Sequence, residues 1–205
     1  MSDSLIAFIG GTGFDLRGPD SPFQNPVDER VDTRFGPAHI TRASLDGKGV
    51  VFLHRHAQPD DPNQKTVPPH KINYRANIAA LKKLGVTGIL ASTAVGGLRP
   101  DWKPGSLVCL DQFLDMTTNR VKTFFDTRAI HTDVTHPYCS HLRELLLKAA
   151  YKLVIRAIRV GQVPPGAIRP GWTDRGFRAE PATQIRLNPV VAHSIKSNLG
   201  ICPER

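Results

Sequence analysis

An apolar stretch, Leu5-Ile6-Ala7-Phe8-Ile9, runs straight into Gly10-Gly11-Thr12-Gly13, and this junction constrains the fold more than any other part of the chain. Five apolar residues closed by glycines read as a buried strand. Glycines at a strand end permit positive φ and leave backbone N–H groups open to a close neighbour. The loop therefore reads either as a tight turn or as an anion cradle, with the Thr12 hydroxyl as an added donor. Two nucleotide-binding patterns are not met. No third glycine stands where a dinucleotide fingerprint needs it, and no Gly-Lys-Ser/Thr follows for a P-loop.

At 205 residues the chain suits one α/β domain. A chain of that size buries roughly 70% of its unfolded surface and needs no staples. The three cysteines, Cys109, Cys139 and Cys202, are scattered without metal-ligand spacing, which implies reduced thiols, a cytoplasmic protein and no bound metal. Nowhere do 18 apolar residues run together, and no basic segment precedes a long apolar one at the N-terminus, so neither a membrane span nor export is expected. The formal charge of +9 is uneven: residues 1–151 hold 18 Lys/Arg against 15 Asp/Glu, while residues 152–205 hold 9 against 3. A diffuse basic tail without interleaved aromatics is a poor footprint for nucleic acid, so no nucleic-acid partner is expected.

Patterning divides the chain into alternating elements. Leu5–Ile9, Ala38–Leu45 and Gly49–Leu53 read as strands, the last two joined at hairpin distance by Asp46-Gly47. The segment from Pro59 to Pro69 reads as a loop. Ile72, Ala76, Ala79, Ala80 and Leu84 recur at helical spacing, ending near Gly85. Val86–Ala91 and Ser106–Leu110 read as further buried strands, and Cys139–Tyr151 as a second helix with Leu142, Leu145, Leu146 and Ala149 on one face. The predicted fold is α/β, a mixed and largely parallel sheet with flanking helices.

In open α/β sheets, ligands collect where strands end at their carboxyl termini. Three predicted strand ends carry suitable chemistry: Gly10–Gly13, His54-Arg55-His56, and Thr93-Ala94. An arginine, a histidine, two threonine hydroxyls and open backbone N–H groups suit a compact dianion such as inorganic phosphate. Taken singly, Arg55 also reads as a surface ion-pair partner and His56 as an ordinary loop histidine; their placement at successive strand ends favours the pocket.

Several longer motifs stand in a recognisable order: Ile9–Gly13, Asp32-Thr33-Arg34-Phe35-Gly36, Arg55-His56, Pro69–Ile78, and Ser92-Thr93-Ala94-Val95-Gly96. Asp111–Asp115, Thr117-Thr118, Phe124-Phe125-Asp126 and His136-Pro137-Tyr138-Cys139 continue the series. Together, over residues 5 to about 151, they resemble the 5′-methylthioadenosine phosphorylase group of the trimeric purine nucleoside phosphorylases. The resemblance implies a nucleoside phosphorylase-like fold and a pentosyltransferase activity of purine and methionine salvage. Phosphate attacks C1′ of the ribose, and the purine leaves as 5-methylthioribose 1-phosphate or a related sugar phosphate forms. It implies phosphate contacts at Thr12, Arg55, His56, Thr93 and the backbone of Ala94, with inorganic phosphate as co-substrate and no other cofactor. It also implies a homotrimer, in which His131 occupies the place of a histidine that borders the 5′ end of a nucleoside bound to the adjacent subunit. His131 also reads as a solvated loop histidine. Asn73, Tyr74 and Asn77 read equally as residues that cap and pack a helix.

Near Tyr151 the motifs stop standing in register. The family's Thr-Glu-Gly-Pro-Arg-Phe-Glu-Thr segment, its Met-Thr pair and its base-binding acidic residue have no aligned counterpart in residues 152–205, which hold six prolines. Thr173-Asp174, Phe177, Glu180-Pro181-Ala182 and Leu199-Gly200-Ile201-Cys202 only echo the family. The reading is a phosphorylase-type domain over 1–151 followed by a basic, Pro-rich segment over 152–205, divergent or incomplete and open to disorder. One origin for it is a shifted reading frame followed by truncation. Losing the later strands is expected to expose a sheet edge. The alternative function is a non-catalytic remnant that binds phosphate or pairs with intact subunits. Base preference among adenine, hypoxanthine and guanine is left open.

Overall fold

The structure, a computed structural model, describes residues 4–10, 21–57, 66–98, 106–152, 157–159 and 190–193. In chain order the elements are β1 (Leu5–Ile9), β2 (Gln24–Thr33), β3 (Gly36–Leu45), β4 (Lys48–Leu53), α1 (Tyr74–Lys83), β5 (Val86–Ser92), β6 (Leu107–Cys109), α2 (Ser140–Lys152), β7 (Ala157–Arg159) and β8 (Val190–His193). Six strands form one sheet in the order β2-β3-β4-β1-β5-β8, and β6 and β7 form a second, two-stranded sheet. The mixed character agrees with the sequence. Pairing is parallel on both sides of β1 and between β6 and β7, and antiparallel for β2 with β3, β3 with β4, and β5 with β8.

Local chemistry explains the hairpins. Asp46 and Gly47 both take positive φ, 49° and 75°, the geometry that a two-residue turn needs to match the twist of its strands. The β2–β3 turn closes around Thr33, whose hydroxyl donates to the Gly36 carbonyl at 2.6 Å while accepting from the Phe35 N–H at 3.1 Å. Strand β2 was not legible in the sequence. It is the outer strand of the sheet, it carries Pro26 and four charged residues, and its Val27 is exposed, so no alternation marks it. On the far side of β5, β8 pairs antiparallel from Ile89↔His193 to Ser92↔Val190 and ends the strand order of the sheet.

The sheet buries both faces. On one, Ala7, Val31, Ala38, Ile40, Val51, Leu53 and Ile89 pack against Ala80 and Leu81 of α1. On the other, Ala43, Val50 and Phe52 pack with Phe8 and Phe23. The Phe8 and Phe52 rings stack at 5.0 Å, and the Phe23 ring meets Phe52 edge-on at 4.7 Å. Leu142 of α2 approaches Gly88 on this second face, where a Cβ would stand 2.8 Å from Ile6 Cδ1. Asn73 caps α1 by accepting from the Ala76 N–H at 3.0 Å and ties it to the β2–β3 turn by donating to the Phe35 carbonyl at 2.7 Å. Its capping role is thus observed directly.

Between β6 and α2 lies an irregular segment, residues 110–139, pinned by polar contacts. Gln112 donates to the Thr135 carbonyl at 3.2 Å, and Arg143 donates to the Leu110 carbonyl at 2.7 Å. Arg75 of α1 grips both carboxylate oxygens of Asp126, at 3.0 and 2.7 Å. Asp115 accepts from the hydroxyl and the N–H of Thr117, at 2.6 and 3.0 Å, and lies 3.3 Å from Lys122.

Leu81 is fully buried at the helix–sheet contact. Leu81→Ala should cost about 2–5 kcal/mol of stability, seen as a lower Tm and an unchanged far-UV spectrum in the folded range. The Thr117 hydroxyl bond, followed by the Thr117 N–H bond and Lys122, lowers the Asp115 pKa from 3.8 to about 2. A depressed carboxylate pKa favours the folded turn at every pH above 3.8, and that contribution disappears as pH falls through about 2. A titration followed at the Asp115 carboxyl carbon should show that midpoint, returning toward 3.8 in Thr117→Val. An ordinary midpoint in the unsubstituted chain would refute the turn.

Candidate anion site at three strand ends

Parallel pairing in register brings the strand ends together. Ile9 of β1 stands beside Leu53 of β4 on one side and Ala91 of β5 on the other, so the chain leaves all three strands along one edge of the sheet. The sequence placed chemistry after each of these positions, and the topology makes those positions neighbours. Gly10 follows β1 half-buried, while Thr12 lies outside the described residues.

After β4, the His54 carbonyl accepts from the Ala57 N–H at 2.9 Å, which makes His54–Ala57 a tight turn with Arg55 and His56 at its corner. His56 is bound on two sides: its carbonyl accepts from the Val67 N–H at 2.7 Å, and its Nδ1 lies 2.9 Å from the Val67 carbonyl. A carbonyl only accepts, so Nδ1 carries the hydrogen, and in the neutral ring Nε2 is left as an acceptor. Arg55 reaches toward β5, with Nη2 3.5 Å from the Thr93 hydroxyl. That separation is long for a strong bond but brings two donors toward one point.

Arg55 Nε is buried and has no hydrogen-bond partner among the described residues. Among the described residues no carboxylate pairs with Arg55. An unsatisfied donor on a buried cation costs about 1–3 kcal/mol or more unless an acceptor arrives. Thr93 is half-buried beside it and Ala94 is exposed. Arg55, His56, Thr93 and Ala94 thus gather at one sheet edge, whereas His131 sits exposed in the irregular 110–139 segment.

Other recesses lie elsewhere. A cavity of about 370 Å³ at the start of α2 is lined by Asp111, Gln112, His136, Tyr138 and Arg143 among others. Burial, and then the Asp111 carboxylate, raise the Tyr138 pKa. Sequence reasoning missed one polar array beside the strand ends, in which Thr41, fully buried on β3, joins Asp28 to His54. Its members sit on separate strands, and only cross-strand register reveals them. Cys109 and Cys139 are both buried. Among the described residues no helix is long and apolar enough to cross a membrane, and no group of three His, Cys, Asp or Glu side chains is placed to hold a metal.

Comparison with known proteins identifies relatives of the chain. The S-methyl-5′-thioadenosine phosphorylase of Thermofilum pendens is 45% identical over 158 residues, covering 76% of this chain and 57% of that protein. The 6-oxopurine nucleoside phosphorylase of Pyrococcus furiosus is 42% identical over 207 residues, covering 97% and 71% respectively. Among solved structures, the methylthioadenosine phosphorylase of Schistosoma mansoni in its apo form superposes with a TM-score of 0.65 at 34% identity, over 75% of this chain and 54% of that one. The chain spans little more than half the length of several curated relatives it matches. The likeness nonetheless runs past Tyr151, where the motif register stops, since the family profile reaches residue 194. Matched over residues 5–194, the chain belongs to the Phosphorylase superfamily.

Proposed function

We propose that this chain binds inorganic phosphate at the shared end of β4, β1 and β5 and uses it to cleave 5′-methylthioadenosine or a related purine nucleoside. Arg55 carries the reading: its buried Nε–H has no partner among the described residues, and its Nη2 lies 3.5 Å from the Thr93 hydroxyl, an arrangement that suits an anion. The relatives named for S-methyl-5′-thioadenosine and for 6-oxopurine nucleosides support the substrate class. Thr12, Arg55, His56, Thr93 and the Ala94 backbone are the proposed phosphate contacts. Phosphate oxygen forms a bond to C1′, the bond from C1′ to the purine nitrogen breaks, and its electron pair leaves with the base. No protein nucleophile, metal or further cofactor enters this scheme, so rate enhancement comes from positioning and electrostatics.

The remaining elements of the reading follow from the same resemblance. The active unit is a cytoplasmic homotrimer, in which His131 borders the 5′ end of a nucleoside held by the adjacent subunit. Residues 1–151 carry the phosphorylase-type motifs in register, and residues 152–205, over part of which the family match continues, are a divergent, basic, Pro-rich segment.

Purified chain should show a higher Tm in phosphate and release free base from 5′-methylthioadenosine only when phosphate is present. A ligand that binds only the native state at 100 times its Kd adds about 2.7 kcal/mol of stability. Arg55→Ala should abolish this stabilisation, and a preserved shift in that variant would remove Arg55 from the site. Stabilisation without base release would identify an anion-binding subunit that does not turn over.

A further inference from the structure

We propose that His54 is a positioning residue for the Arg55–His56 turn, acting through a hydrogen-bond chain from its imidazole through Thr41 to Asp28 on the outer strand. Thr41 Oγ1 lies 2.6 Å from Asp28 Oδ1 and 2.6 Å from His54 Nε2. A carboxylate only accepts, so the single hydroxyl hydrogen of Thr41 goes to Asp28, and the hydroxyl oxygen accepts from His54. This fixes the ring with hydrogen on Nε2. The array crosses three strands, because Asp28 and Thr41 are register partners of β2 and β3, and His54 follows β4.

The same histidine anchors the turn by its backbone. Its N–H donates to the His39 carbonyl at 3.1 Å, extending the β3–β4 ladder by one bond, and its carbonyl accepts from Ala57 at 2.9 Å. His54 is therefore the residue from which the Arg55–His56 corner springs, held from the strand side by one backbone and one side-chain bond. Thr41 is fully buried, so its hydroxyl is served by these two side chains and not by solvent, although Asp28 and His54 are themselves exposed. The effect on ligand affinity rests on the reading of Arg55 as an anion contact; the effect on the turn does not.

The test compares full-length Thr41→Val, Thr41→Ser, His54→Leu and His54→Gln by amide hydrogen exchange and by titration with inorganic phosphate. In Thr41→Val and His54→Leu the Ala57 and Val67 amides should exchange on the order of tenfold faster, and phosphate Kd should rise by a similar factor. The Leu84 amide, bonded to the Ala80 carbonyl at the end of α1, lies outside the array and the turn and should be unmoved. Thr41→Ser and His54→Gln keep a hydroxyl and an N–H donor and should restore both readouts. A packing role for Thr41 gives the opposite order, because valine fills the site and serine leaves a gap. Unchanged Ala57 and Val67 protection in Thr41→Val and His54→Leu overturns the proposal; should Thr41→Val fail to fold, His54→Leu, at an exposed position, decides alone. Phosphate binding that is absent in the unsubstituted chain, or intact in Arg55→Ala, refutes the anion reading instead.

Discussion

Strand β1 is held between two parallel neighbours, and the rest of the molecule is arranged around that pairing. With Ile9 level with both Leu53 and Ala91, three chain exits share one edge. A shift of one residue in either ladder would turn every side chain of that strand to the opposite face. Ala7 and Ile89 would then leave the α1 face, and Phe8 would leave the cluster with Phe23 and Phe52. The apolar packing on the two faces therefore fixes the register. That register sets Arg55 opposite Thr93.

Much of this was legible because the central strands carry their signal in composition. Leu5–Ile9 and Val86–Ser92 are short apolar runs bounded by glycines or polar turns, and α1 shows its stripe through Ala76, Ala80 and Leu81. Strand β2 gave no such signal, since an edge strand needs little apolar surface and takes its pairing from the Thr33–Gly36 turn. The gathering of Arg55, His56 and Thr93 followed from the general behaviour of strand ends. The Asp28–Thr41–His54 array did not, because its members are separated by 13 positions at each step and only register brings them together.

The irregular segment between β6 and α2 shows how a long connection is ordered without regular structure. Arg75 joins it to the β2–β3 turn, clasping Asp126 while its guanidinium lies 4.8 Å from the Phe35 ring centroid. Phe35 in turn meets Phe124 edge-on at 5.6 Å, so the β2–β3 turn, α1 and the segment converge on one aromatic ring. Arg120 lies over Tyr74 and donates to its hydroxyl at 3.2 Å, fastening the segment a second time to the start of α1. The motif residues Asn73, Tyr74 and Arg75 thus act as a clasp, which explains why they stand together in the sequence.

The central position of β1 has a further consequence for the order of assembly. The β2–β3–β4 meander pairs residues close in sequence and closes short loops. Strand β1, although synthesised before its partners, pairs Ile6 with Val50 and Ala7 with Ile89, so it gains its second neighbour only after the chain has been made through β5. Until then one flank of its backbone lies open on a nascent polypeptide. A strand made before both of its partners is thus among the later ones to be enclosed, and during this interval the growing chain is exposed to pairing with another copy.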